Sequence, residues 1–218
     1  MLRLVIIEDQ QMVQEGIIAA IRACLDVELI GAFRSGNEVL AHANMLCLAD
    51  VALVDFHLGE EQALDFLPEL RCIAPKLKLI WVSSVATEFL LSRAINAQLE
   101  GFVHKDDPIA VLITAIERVA DGMRFVSETV QRMQKRFQQN ANHFNKLLSV
   151  REQELMTLLG QGLSNDEVAA LLGLSPSTVQ THRRNIMGRL RLHSAVELQA
   201  YALKAGFTTQ ARLQLRSV

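Results

Sequence analysis

Three acidic side chains, a serine and a lysine stand where apolar runs of this 218-residue chain end. Glu8 and Asp9 follow Leu4-Val5-Ile6-Ile7, Asp55 follows Ala52-Leu53-Val54, and Ser83 and Lys105 close two later runs. If these runs are strands of one parallel sheet, the side chains meet at its carboxyl edge, where ligands of such sheets bind. Three carboxylates brought together repel strongly at low dielectric and require a cation, and hard oxygen ligands suit Mg2+. Carboxylates, a hydroxyl and an ammonium around one point can receive a phosphoryl group. The metal and Lys105 take its charge, Ser83 offers a hydrogen bond, and one carboxylate attacks phosphorus to give an aspartyl phosphate.

The elements that must position this set are legible as periodicity. Runs rich in β-branched residues occur at 2–7, 27–33, 51–56, 77–82 and 101–104. Between them apolar residues recur at three and four: Met12, Val13, Ile17, Ala20, Ile21 and Cys24; Leu64, Leu67, Leu70 and Ile73; Val111, Leu112, Ala115, Ile116 and Val119. Strands alternating with helices predict an α/β fold over residues 1–123, a doubly wound five-stranded parallel sheet covered on both faces. Residues 124–147, rich in Gln, Asn, Arg and Lys, read as a partly helical linker. Residues 148–208 read as a small all-α domain, and 209–218 as a frayed tail.

Charge divides along the same lines. Residues 1–123 hold 9 basic against 18 acidic residues, whereas 124–147 hold 5 against 1 and 148–218 hold 8 against 5. The acidic front suits cation binding or regulation, and the basic C-terminal third suits phosphate backbones. Half the residues are apolar, enough for a packed core. No apolar run reaches membrane-spanning length, and the N-terminus meets acid too early for a signal peptide. Cys24, Cys47 and Cys72 have no metal-like spacing and read as reduced core thiols of a cytoplasmic protein.

The C-terminal part carries its own signature. Ser164 followed by Glu167 has capping-box spacing, Gly173 stops that helix, and Ser175 with Pro176 opens the next. A helix, a short turn and a second helix place one helix in the DNA major groove. On the helix expected at 176–190, Val179, Ile186 and Leu190 share one face and should face the core. Gln180, Thr181 and Arg184 lie outside and suit base edges, while His182, Arg183 and Arg189 suit phosphates.

The order Leu-Ser-Asn-Asp-Glu-Val-Ala, then Ser-Thr-Val-Gln-Thr-His-Arg-Arg-Asn-Ile, resembles the LuxR/NarL-type helix-turn-helix. The front set of Glu8, Asp9, Asp55, Ser83 and Lys105 resembles the receiver (flavodoxin-like) domain of two-component response regulators over residues 1–123. That resemblance implies Asp55 as phosphoacceptor and Mg2+ held by Glu8, Asp9, Asp55 and the backbone carbonyl of His57. It implies Ser83 as the switch hydroxyl, Lys105 as the phosphate-binding cation and Phe102 as the switch aromatic. It further implies a sensor histidine kinase and double-stranded DNA as partners. A homodimer would form through the last helix, Ser194–Ala205, with Val196, Leu198, Tyr201 and Ala202 on its apolar face. Two departures stand out. Gly59 and Ala63 replace the Pro and Gly usual after the phosphoacceptor, so a shifted loop is expected there. Gln180 stands where the family often has Lys. His57 and Val85 occupy positions that would tune the phosphate's lifetime.

These residues predict a DNA-binding transcriptional regulator switched by Mg-dependent phosphorylation of Asp55, and no enzyme beyond its own phosphoryl transfer and dephosphorylation. Three alternatives stay open: a DNA-binding regulator independent of phosphate, a partner-docking or second-messenger module, and a phosphohydrolase. The helix-turn-helix argues against the last, as does the lack of a second general acid beside Asp55.

Overall fold

A computed structural model describes residues 1–59, 61–84, 87, 89, 91–93, 99–139 and 144–208. Val85 and the tail 209–218 lie outside the described residues. The chain divides into two units, one of Met1–Ala86 with Ala94–Met133, the other of Thr87–Arg93 with Gln134–Val218.

In the first unit the elements run β1 (Leu2–Ile7), α1 (Gln11–Cys24), β2 (Val27–Phe33), α2 (Gly36–Leu40), α3 (Ala43–Leu46), β3 (Val51–Asp55), β4 (His57–Leu58), β5 (Glu61–Gln62), α4 (Ala63–Ile73), β6 (Lys78–Ser83), β7 (Gly101–His104), α5 (Ile109–Ala120) and β8 (Phe125–Val126). Six strands pair in parallel in the order β2-β1-β3-β6-β7-β8. The five expected strands are all present, and a sixth, two-residue strand from the expected linker extends the edge beside β7. Strands covered on both faces cannot alternate polar and apolar residues, which is why β3 and most of β1 and β6 are buried throughout. Leu4, Ile6, Leu53, Ile80 and Val103 form one core with Ile17 and Ile21 of α1 and with Leu112, Ala115, Ile116 and Val119 of α5.

Two expectations about α1 and the thiols need correction. Met12, counted in the apolar stripe of α1, is 85 % exposed, because that stripe meets the sheet only from Val13 onward. The three cysteines are free but exposed, not in the core: they sit at or beyond helix ends, outside the rows that face the sheet.

After Asp55 the chain makes a short antiparallel hairpin, β4 with β5, turning at Gly59 in the left-handed region (φ 62°). A non-glycine residue would be strained there. The expected linker is ordered through β8 and α6 (Glu128–Gln139), and the division between the units falls inside α6, between Met133 and Gln134.

The second unit continues with α7 (Phe144–Leu147), α8 (Val150–Gly160), α9 (Asn165–Leu172), α10 (Pro176–Leu190) and α11 (Ala195–Ala205). Ser149 and Ser164 close capping boxes with Glu152 and Glu167, and Gly173 ends α9 in the left-handed region. Ser175 accepts from the Thr178 amide with Pro176 in the first turn of α10. Leu155, Met156, Leu159, Val168, Val179, Ile186, Leu198 and Ala202 are buried as its core. Among the described residues no helix is long and apolar enough to cross a membrane.

Candidate functional site

Register brings the acidic residues together. Ile7 pairs with Val54, so the next residues, Glu8 and Asp55, leave the sheet side by side. Asp55 pairs with Val82 and Ser83 with His104, which sets Ser83 and Lys105 at the same edge. Glu8 and Asp55 are 2 % and 4 % exposed, and Ser83 is fully buried. The Lys105 ammonium bridges the two acids, with Nζ 2.7 Å from Glu8 Oε2 and 2.8 Å from Asp55 Oδ2. Its backbone amide donates to the Ser83 carbonyl at 2.9 Å, which ties the lysine's loop to β6.

Each carboxylate is braced. Glu8 Oε1 accepts from the Gln10 amide at 3.2 Å, and Asp55 Oδ1 accepts from the His57 amide at 3.1 Å. Asp9 is held through its backbone, whose carbonyl accepts two bonds from the Arg34 guanidinium. Its own Oδ1 is buried without a hydrogen-bond partner. Glu8, Asp9 and Asp55 each present an oxygen within 4.8 Å of the others. Three acids against one ammonium leave the cluster short of positive charge, and a buried orphan oxygen is costly unless a ligand meets it. This donor set therefore fits a hard divalent cation.

The protonation equilibria follow from the same geometry. Burial pushes the Glu8 carboxyl above its ordinary range; Lys105 pulls it down and the Asp55 charge pushes it further up. Burial works against the Lys105 ammonium, but its bonds to Asp55 and Glu8 outweigh that and hold its pKa above the usual lysine value. Phe102 is buried, edge-on to Trp81 with ring centroids 6.1 Å apart, and the Trp81 ring lies 4.9 Å from that of Phe56.

In the second unit α10 turns Val179 and Ile186 inward, and Leu190 is half-buried. Gln180, Thr181 and Arg184 are exposed. The three residues expected at phosphates are held differently. His182 is half-buried and its Nδ1 is enclosed without a partner. Arg183 is half-buried too, donating to the Leu163 carbonyl at 3.4 Å, and burial lowers its pKa. Arg189 bonds the buried Glu152 at 2.7 Å and the Leu147 carbonyl at 3.1 Å, though half of its side chain remains exposed. These guanidiniums serve the unit's own structure first. Sequence spacing could not show it, because their partners lie 20 to 42 residues away.

Comparison with known proteins matches both domains. The model of the response regulator receiver domain matches residues 4–117, and that of the bacterial regulatory proteins of the luxR family matches 146–202. The chain belongs to the response regulators of the LuxR/NarL type. It is similar to the response regulator protein VraR of Staphylococcus aureus, 24 % identical over 93 % of this chain and 97 % of that one. Among solved structures, RcsB from Salmonella enterica serovar Typhimurium, bound to promoter rprA in the presence of phosphomimetic BeF3-, superposes with a TM-score of 0.68. It is 21 % identical, over 92 % of this chain and 97 % of that one. The isolated REC domain of the same protein matches with a TM-score of 0.55 over 61 % of this chain and 97 % of its own. As a response regulator, the chain thus joins a receiver to a luxR-type DNA-binding domain and is not an enzyme in the ordinary sense.

Proposed function

We propose that this response regulator controls transcription by binding DNA when a sensor histidine kinase phosphorylates Asp55. The observation that carries the reading is the Lys105 ammonium bridging Glu8 and Asp55 beside the unpartnered Asp9 oxygen. In the transfer an Asp55 oxygen forms a P–O bond as the donor's P–N bond breaks. The released electron pair stays on the donor imidazole, which takes up a proton. Glu8, Asp9, Asp55 and the His57 carbonyl would hold Mg2+, whose charge offsets that of the phosphoryl oxygens. Lys105 then faces a phosphoryl oxygen instead of the bare carboxylate, Ser83 donates a hydrogen bond, and Phe102 repacks against Trp81. Catalysis is confined to the protein's own phosphorylation and dephosphorylation.

Gln180, Thr181 and Arg184 are assigned to base edges. His182, Arg183 and Arg189 are assigned to flanking phosphates, Arg189 foremost because half its side chain stays exposed. Pairing of two copies through α11 would place two half-sites about one DNA turn, roughly 34 Å, apart. DNA as partner puts the work in the cytoplasm.

The test is intact-mass measurement after incubation with Mg2+ and acetyl phosphate, beside genome-wide DNA capture. Wild type should gain one phosphoryl group and occupy defined sites; Asp55→Ala should do neither. Phosphoryl uptake that survives Asp55→Ala overturns the assignment. Gly59 and Ala63, standing where receivers usually carry Pro and Gly, motivate one second reading, DNA binding independent of phosphate. Its signature is identical DNA occupancy by wild type and Asp55→Ala.

A further inference from the structure

One carboxylate near the cluster takes no part in the phosphate chemistry. Asp107 lies two residues beyond Lys105, and its carboxylate is bonded to the start of α6. Its Oδ2 accepts from the His104 amide at 3.1 Å, and its own amide donates to the His104 carbonyl at 2.9 Å. These two bonds close the loop that carries Lys105. Its other oxygen, Oδ1, accepts from the Thr129 hydroxyl at 2.6 Å, and the Ser127 hydroxyl is also hydrogen-bonded to this carboxylate.

Both partners belong to α6 and the residue before it. Ser127 is 1 % exposed, continues β8 by donating its amide to the Phe102 carbonyl at 2.9 Å, and accepts from Gln131 as the helix opens. Thr129 stands in the first turn, is braced by Arg132, and precedes Val130, which is 1 % exposed. A negative charge at a helix N-terminus is favourable, and short charge-assisted bonds are the strong kind. Burial pushes the Asp107 carboxyl up, but the bonds from Ser127, Thr129 and the His104 amide prevail and hold it below the usual carboxylate range. The first turn of α6 is therefore fastened to the first unit, whereas its second half, from Gln134, belongs to the other unit.

We propose that Asp107 is a positioning residue of the switch. It clamps the start of α6 to the loop that carries Lys105, so that a change in what Lys105 holds is passed to the helix in which the two units divide. The inference rests on the reading of Asp55 as phosphoacceptor. The chain of bonds is short: Asp55 to the Lys105 ammonium, the loop closed by Asp107, then Ser127 and Thr129. A two-state element biased by a local charge event is how such signals travel.

The test uses the full chain and four proteins: wild type, Asp107→Ala, Asp107→Glu and the double variant Ser127→Ala/Thr129→Val, which keeps the acid and removes its partners. Without any phosphodonor, amide hydrogen exchange at residues 127–133 should be about tenfold faster in Asp107→Ala and in the double variant, the loss expected from breaking about one charge-assisted bond. With acetyl phosphate and Mg2+, the rate of phosphoryl uptake should stay within about twofold of wild type, since Asp107 touches none of the reacting groups. The gain in DNA affinity on phosphorylation should shrink in both, and Asp107→Glu should restore part of it. Unchanged exchange at 127–133 in the double variant overturns the clamp. So does a full affinity gain in variants that take up phosphate normally. If wild type takes up no phosphoryl group, the Asp55 reading fails by itself, and the exchange measurement still decides whether the clamp exists.

Discussion

Replacing Lys105 with methionine removes the cation from between two buried carboxylates and keeps most of the side-chain volume. Its ammonium lies 2.7 Å from Glu8 and 2.8 Å from Asp55, acids only 2 % and 4 % exposed. At an effective dielectric of about 20, each contact is worth roughly 6 kcal/mol before desolvation. Desolvation offsets most of that, and removing one partner of a buried pair costs about 3–5 kcal/mol net. That is a large share of the roughly 5–15 kcal/mol that holds a domain together. Trp81, the single tryptophan, is fully buried in the first unit and reports on that unit's unfolding. In EDTA at pH 7, its fluorescence should show a urea midpoint lower by about 2 M with little change in slope. The deficit should depend on pH. The folded-state pKa of Glu8 is raised, so its contribution is present below the unfolded value near 4.5 and is lost as pH rises through the folded value. Without Lys105 that pKa climbs further, so the variant's deficit should be smallest in acid and grow toward neutrality. Lys105 itself titrates above its ordinary 10.5; its contribution is complete below that pH and disappears as pH rises through the raised value, where variant and wild type converge. Mg2+ should restore part of the lost stability by binding the three acids. A loss under about 1 kcal/mol at pH 7, or a deficit that widens in acid, would refute this account of the cluster.

Three further outcomes are expected in the second unit, followed by circular dichroism or DNA binding. Glu152→Gln keeps an acceptor for the Ser149 amide but removes the charge that Arg189 bonds, and should cost about 1–2 kcal/mol. Burial pushes the Glu152 carboxyl up, but its bonds with Ser149 and the Arg189 charge hold it below 4.5. Its contribution is therefore present above that value and lost as pH falls through the lowered pKa, so the cost should vanish in strong acid. Gly160→Ala would drive a methyl group into Ala202 where α8 meets α11, and should lower stability by about 1–3 kcal/mol; an unchanged melting curve would mean the two helices are further apart. Arg184→Ala should weaken specific DNA binding by about 1–3 kcal/mol and relax preference at one base pair, whereas equal weakening on all sequences would mark Arg184 as a phosphate contact.

The sequence by itself determined the helix ends of the second unit, the strand order of the chemistry in the first, and the residue types at both sites. Ser164, Gly173, Ser175 and Pro176 act within one turn of their own position, so their effect is local and readable. Alternation of apolar runs with helical repeats dictates a parallel sheet, and such a sheet sends Glu8, Asp55, Ser83 and Lys105 to one edge. Tertiary structure alone decided which of these residues touch. The Lys105 bond to Asp55 spans 50 positions, the Arg189 bond to Glu152 spans 37, and the Thr129 bond to Asp107 spans 22. Periodicity carries no trace of such contacts, because a side chain's polarity says only that it needs a partner. It read Met12 and the cysteines as core and Phe125–Val126 as linker, since a repeat of three and four marks a helical face without marking where that face leaves the sheet. Close packing in three dimensions sets those limits and chooses, for each charged group, between solvent, a neighbour and a ligand.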